Sequence, residues 1–86
     1  MRVIGNRIFV RQDPPEKLSS ILEIPDSVKN ESMSGVVVGV GDKVRGLKVG
    51  YSVIFNKFDY ENVEIENEQY LVIHEQELKF IFKNKE

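Results

Sequence analysis

The chain has 86 residues, which points to one domain, and a domain of that size hides only roughly 60–65% of its unfolded surface, so association with further copies is a natural route to stability. Hydrophobic residues make up 41% and charged residues 30%, a globular rather than a disordered balance; no apolar run approaches the ~18 residues of a membrane span, and the absence of cysteine excludes a disulfide framework and a thiolate zinc site. The formal net charge of −2 argues against nucleic acid, whose phosphates favour a basic surplus.

The opening MRVIGNRIFV has neither a long apolar core nor a small-residue cleavage pattern, so no signal peptide is expected, and a cytoplasmic location fits the lack of cysteine. Residues 2–11 predict a strand, rich in the β-branched Val3, Ile8 and Val10 with Phe9 added. The two prolines of DPPEK end it. Residues 14–33 then form a long connection containing SSILEIPDSVKNES, with the aliphatics Ile21, Leu22 and Ile24 in a polar setting. SGVVVGVG, 34–41, predicts a second strand, its β-branched run suited to burial on both faces. DKVRGLKVG is a short polar connection, about 42–48 at its heart, with Gly46 and Gly50 as turn points.

YSVIF, 51–55, is the third predicted strand, and NKFDYE follows with two exposed-looking aromatics, Phe58 and Tyr60. NVEIENEQYLVIH reads as a hairpin, with Val63 and Ile65 alternating against Asn62, Glu64 and Glu66 and a turn near Asn67. KFIFK, 79–83, is the last strand, with Phe80 and Phe82 on one face. About six short strands and no long amphipathic helix make this an all-β chain, a small barrel or sandwich in a single domain spanning 1–86. The first and last strands, near the chain ends, would be exposed edges of a partly open barrel; they pair with the matching edges of further copies to close a ring, or with each other inside one barrel.

Candidates for catalysis do not hold together. GVGDKVRG offers G-x-G at Gly39 and Gly41, but Val44 stands where the third glycine belongs and no helix follows to cradle a phosphate. His74 is the only histidine, and no serine or carboxylate is spaced around it as a triad or a metal site requires. The acidic residues Glu61, Glu64, Glu66 and Glu68 lack the spacing of a calcium loop and read as a solvated surface. Neither an enzyme nor a metal or cofactor is expected.

The order of NRIFV, IPDSVKNES, GVVVGVG, LKVGYSVIF and VEIENEQYLVIHEQEL, followed by an apolar strand, resembles the ten-kilodalton co-chaperonins of the GroES type over nearly the whole chain. The most specific parts are Asn6-Arg7-Ile8-Phe9-Val10, SGVVVGVG followed by KVGYSVIF, and Glu66 to Leu71. The resemblance implies a small Greek-key barrel with a long mobile loop, assembled as a homo-heptameric ring. Such a ring caps a GroEL-type chaperonin in a nucleotide-dependent cycle and encloses unfolded client proteins, the nucleotide being bound by the chaperonin. It places the chaperonin contact at Ile21, Leu22, Glu23 and Ile24, the subunit interface at Arg7, Ile8, Phe9 and Val10 together with Lys79, Phe80, Ile81 and Phe82, and Phe58 and Tyr60 toward the cavity.

Three departures stand out. The family's loop carries two glycines before an Ile-Val-Leu type triplet; here the triplet is either Leu22-Glu23-Ile24 after Ser20 and Ile21, or Ile21-Leu22-Glu23 after Ser19 and Ser20, and in both a charge sits inside the anchor. The connection 42–48 is shorter than the hairpin that roofs the family's dome, implying a wider opening. Tyr51 replaces the usual Asp after Val-Gly. A trimmed roof resembles virus-encoded co-chaperonins that serve a host chaperonin in the host cytoplasm.

Two other readings stay open at this level. Ser20-Ile21-Leu22-Glu23 also fits a capping box, whose single helical turn, ended by Pro25, would tuck Ile21, Leu22 and Ile24 against the barrel. The other is a monomeric barrel that binds RNA or a ribosomal surface through Lys43, Arg45 and Lys48 beside Phe58 and Tyr60, since bases stack on aromatic rings.

Overall fold

The computed structural model describes residues 3–13, 24–58 and 60–82. Among the described residues six strands form one antiparallel sheet: β1 Arg7–Gln12, β2 Ser32–Val40, β3 Ser52–Asn56, β4 Glu61–Ile65, β5 Glu68–His74 and β6 Leu78–Phe82. The spatial order is β4-β5-β1-β2-β3-β6. β1, β2 and β3 are sequential neighbours, and the chain then returns so that β5 lies beside β1, a Greek-key crossing. A four-residue helix, α1 Asp26–Lys29, precedes β2, and a 3-10 turn, Glu75–Glu77, joins β5 to β6.

Strand alternation builds the core. Ile8 and Val10 point inward from β1 and are fully buried, joined by Val37 of β2, Val53 and Phe55 of β3, and Leu71 and Ile73 of β5. Leu47, from the short connection between β2 and β3, is also buried in this cluster. The β4–β5 hairpin turns at Glu66 and Asn67, both with positive φ, 52° and 69°, the backbone that a two-residue turn of this hand demands.

Two sequence expectations need correction. The first strand begins at Arg7 rather than residue 2, because Gly5 has φ 78° and donates its N–H to Asp42 Oδ1 at 2.7 Å, which takes the chain out of the extended ladder. Nor is β1 an edge: β2 flanks it from Ile8 to Gln12 and β5 from Arg7 to Val10, so the ladder groups that a second copy would need are used inside the subunit. The two chain-end strands do not pair with each other either, since β6 pairs with β3. Among the described residues the outermost strands are β4 and β6. β4 carries the exposed Glu61 and Glu64, charges that discourage edge pairing. β6 carries exposed Phe80 and Ile81, at 40% and 46%, with Lys79 as its one charge.

The connection 42–48 is strapped to the start of the chain. Lys43 N–H donates to Gly5 O at 3.0 Å and Gly41 N–H to Arg7 O at 2.9 Å. Gly41 must lack a side chain, because a Cβ there would run into Gly5 O and come within 2.9 Å of Arg7 O.

Candidate functional site

The expected chaperonin contact lies in the connection between β1 and β2. Ile21, Leu22 and Glu23 fall outside the described residues. Ile24 is the first described residue after them, and it is 4% exposed. It packs with Ile54 of β3, with Val28 of α1 and with Phe82 of β6, a small apolar cluster separate from the main core.

The residues that follow explain why the chain seats here. Pro25 is extended, with φ −61° and ψ 149°, and its carbonyl accepts the Val28 and Lys29 N–H groups at 3.0 and 3.1 Å. Proline at a helix start loses no bond, because its missing N–H would have been unpaired there. Asp26 in the first turn and Lys29 in the last complement the helix dipole.

Side chains from the barrel then fasten the end of α1. Ser32 Oγ donates to Val28 O at 2.6 Å, and Lys79 Nζ of β6 donates to Ser32 Oγ at 2.8 Å, so one buried hydroxyl accepts from the barrel and donates to the helix. Lys57, beyond the end of β3, donates through Nζ to Asn30 O at 2.8 Å and through its backbone N–H to Glu31 O at 3.1 Å. The connection expected to be free of structure over 14–33 therefore holds, from Ile24 onward, a packed aliphatic, a helical turn and the start of β2 at Ser32.

The expected interface residues divide into two kinds. Ile8 and Val10 are wholly buried inside the subunit, whereas Arg7 is exposed and Phe9 half-buried on the outer face, where Phe9 meets Tyr70 with ring centroids 6.3 Å apart. Lys79, Phe80 and Ile81 are exposed and Phe82 is half-buried, with the Phe80 and Phe82 rings stacked at 6.4 Å and 21°. Just before β1, Ile4 is 63% exposed.

Phe58 and Tyr60 do not behave alike. Phe58 is 72% exposed, with Lys57 Nζ 5.3 Å from its ring centroid, while Tyr60 is half-buried and sets its edge against Phe55 at 6.1 Å and 80°. Lys43, Arg45 and Lys48 are exposed on the short connection. An open cleft is lined by Arg7, Tyr60, Glu61, Val72, His74 and Glu77, a mixture of charges with no single chemistry. Among the described residues no group of three His, Cys, Asp or Glu is placed to hold a metal ion, and no helix is long and apolar enough to cross a membrane.

The sequence leaves Ile24 between two places, the loop anchor and a turn tucked against the barrel, and its burial agrees with the second; it marks Lys79 only as a strand residue, without its bond to Ser32. The signal for Ile24 was its place directly before Pro25-Asp26, a helix start that fixes the preceding residue.

The profile of the family described as chaperonin 10 Kd subunit matches residues 1–82. A co-chaperonin GroES of Thermodesulfovibrio yellowstonii is 33% identical over 80 residues, covering 91% of this chain and 91% of the relative. One from Campylobacter concisus is 32% identical over 81 residues, with 93% and 94% covered. One from Nitrosococcus oceani is 33% identical over 93 residues, with 96% and 97% covered.

Proposed function

This chain belongs to the chaperonin 10 Kd subunit family, and from that membership we propose that it is a co-chaperonin that caps a GroEL-type chaperonin in a nucleotide-dependent cycle while client proteins fold inside. The observation that carries the reading is the family match, which spans 82 of the 86 residues. The protein has no catalytic role in this reading: ATP binds the chaperonin, and the work is done in the shared cytoplasm.

The proposed assembly is a homo-heptameric ring. Its joint would use the open edge of β6, through its backbone and the exposed Phe80 and Ile81, against residues of the next copy that lie ahead of β1, where Ile4 is exposed, while the Lys79 side chain is taken up by Ser32 of its own subunit. Of the β1 residues, Arg7 and Phe9 can reach a neighbour with their side chains, whereas Ile8 and Val10 support the joint from the core. The short connection 42–48 would leave the top of the dome wide, and Phe58 would face the cavity.

The proposed chaperonin contact is Ile21, Leu22, Glu23 and Ile24. Burying one Leu or Ile contributes roughly 1.5–3 kcal/mol, from which the cost of ordering the segment is subtracted. Ile24 is already buried in the free subunit, so moving it to a partner's groove exchanges one apolar site for another and gains little. Ile21 and Leu22 would therefore carry most of each contact. Repetition around a ring can raise affinity by ~10²–10⁴, which suits a lid that releases every cycle.

The test is refolding of a denatured client that needs a closed cage. A GroEL-type chaperonin with ATP and this protein should return active client; a yield equal to that of chaperonin and ATP alone would overturn the reading.

A further inference from the structure

We propose that Lys79 and Phe82 are positioning residues for the chaperonin contact: through Ser32, Val28 and Ile24 they tie the point where the loop rejoins the barrel to the strand whose open edge builds the ring. This inference rests on the co-chaperonin reading given above.

Two independent connections run from β6 to α1. The apolar one is the cluster of Ile24 and Ile54, against which Phe82 from β6 and Val28 from α1 both pack. The polar one runs from Lys79 Nζ to Ser32 Oγ at 2.8 Å and from Ser32 Oγ to Val28 O at 2.6 Å. Both reach Val28 of the short helix, one through its side chain and one through its carbonyl, and the apolar one also holds Ile24, two residues before the helix begins. Val28, half-buried against the cluster, is the residue through which α1 is held, and none of the helix's residues is fully buried. Four residues of helix are far too few to be stable in isolation, so the orientation of α1 is set by what grips it.

The grip comes from an outer strand. β6 is hydrogen-bonded to β3 on one side and to no other strand among the described residues. Strands with one open side exchange and fray more readily than those paired on both. A second copy pairing along β6 would immobilise Lys79 and Phe82 and, with them, α1 and Ile24. Ring assembly and loop presentation would thus be coupled through two side chains, and a lone subunit would present its loop less well than a subunit in a ring.

Lys79 is exposed, so replacing it leaves the core intact. The experiment uses the full chain and four proteins: wild type, Lys79→Met, Lys79→Arg and Ser32→Ala. Three quantities are read: mass by light scattering, hydrogen exchange at the amides of Val28, Lys29 and Asn30, and ATP-dependent affinity for a GroEL-type chaperonin. One lost hydrogen bond of this kind changes the local opening equilibrium by roughly fivefold to tenfold. Lys79→Met and Ser32→Ala should keep the wild-type mass, exchange these amides roughly fivefold to tenfold faster, and bind the chaperonin at least tenfold more weakly, because the loss repeats around the ring. Lys79→Arg, which still donates to Ser32, should restore both. Wild-type exchange and affinity in Lys79→Met would overturn the proposal, and so would a loss of affinity accompanied by a fall in mass, which would make Lys79 an assembly residue only. The exchange measurement needs no chaperonin: wild type that never binds one overturns the functional reading, while unchanged exchange in the variants overturns the grip itself.

Discussion

Asp42 Oδ1 accepts the backbone N–H of Gly5 at 2.7 Å, joining residues 37 apart in sequence. With the Lys43 to Gly5 and Gly41 to Arg7 bonds, it fixes the short β2–β3 connection onto the segment that leads into β1. The connection acts as a clasp for the segment that leads into β1, directly beside the exposed Ile4. Asp42→Ala should lower stability by about 1 kcal/mol, the usual range for a charge-assisted bond at a partly solvated site, read as a shift in the urea midpoint. If Ile4 takes part in the joint between copies, the same variant should also dissociate at higher protein concentration than wild type.

The β4–β5 turn gives a second prediction. Asn67 sits at φ 69°, a region costly for most side chains and free for glycine. Asn67→Gly should leave stability within about 0.5 kcal/mol of wild type, whereas Asn67→Val should cost about 1–3 kcal/mol. Thermal unfolding of the two variants checks the difference, and equal melting temperatures would contradict the turn geometry.

Ile24 and Ile21 should separate cleanly. Ile24 lies in a packed cluster with Ile54 and Phe82, so Ile24→Ala should cost about 2 kcal/mol of stability, at the low end for a buried Ile because the cluster is small. Ile21→Asp and Leu22→Asp should leave stability unchanged and abolish ATP-dependent binding to a chaperonin. Urea unfolding and co-elution read the two effects. A stabilising or neutral Ile24→Ala would mean that the cluster contributes nothing.

At the open edge, Ile81→Asp puts a charge on a strand that pairs with β3 and presents its other side outward. The expected result is loss of the ring with the fold retained: light scattering falls toward one subunit while far-ultraviolet circular dichroism stays β-like. Phe58→Ala, at a side chain 72% exposed, should change neither stability nor mass.

The strands were largely legible, because short runs rich in β-branched and aromatic residues, such as Ile8-Phe9-Val10 and Leu71-Val72-Ile73, are bounded by polar and turn residues. The β4–β5 turn was legible for the same local reason. What sequence hid was long-range pairing. Nothing in the residues 7–12 distinguishes a strand flanked on both sides from an edge; β1 is central because β5 returns beside it across some sixty residues. Leu47 escaped notice as a core residue because it is a lone aliphatic among turn and polar residues, with no period to reveal which way it points, and for Ile24 the residues left packing and partner binding both open. At the site, the loop was recognisable as an oddity and by its family likeness. The grip of Lys79 on Ser32 was not, since a lysine on an exposed strand position carries no mark of its partner.

The family's working cycle makes one measurement decisive: co-sedimentation with a GroEL-type chaperonin, with and without ATP, on wild-type protein. The account predicts that the chain pellets with the chaperonin at about seven copies per capped ring when ATP is present, and stays in the supernatant when ATP is absent. A chain that remains in the supernatant in both conditions, or pellets equally in both, would contradict it.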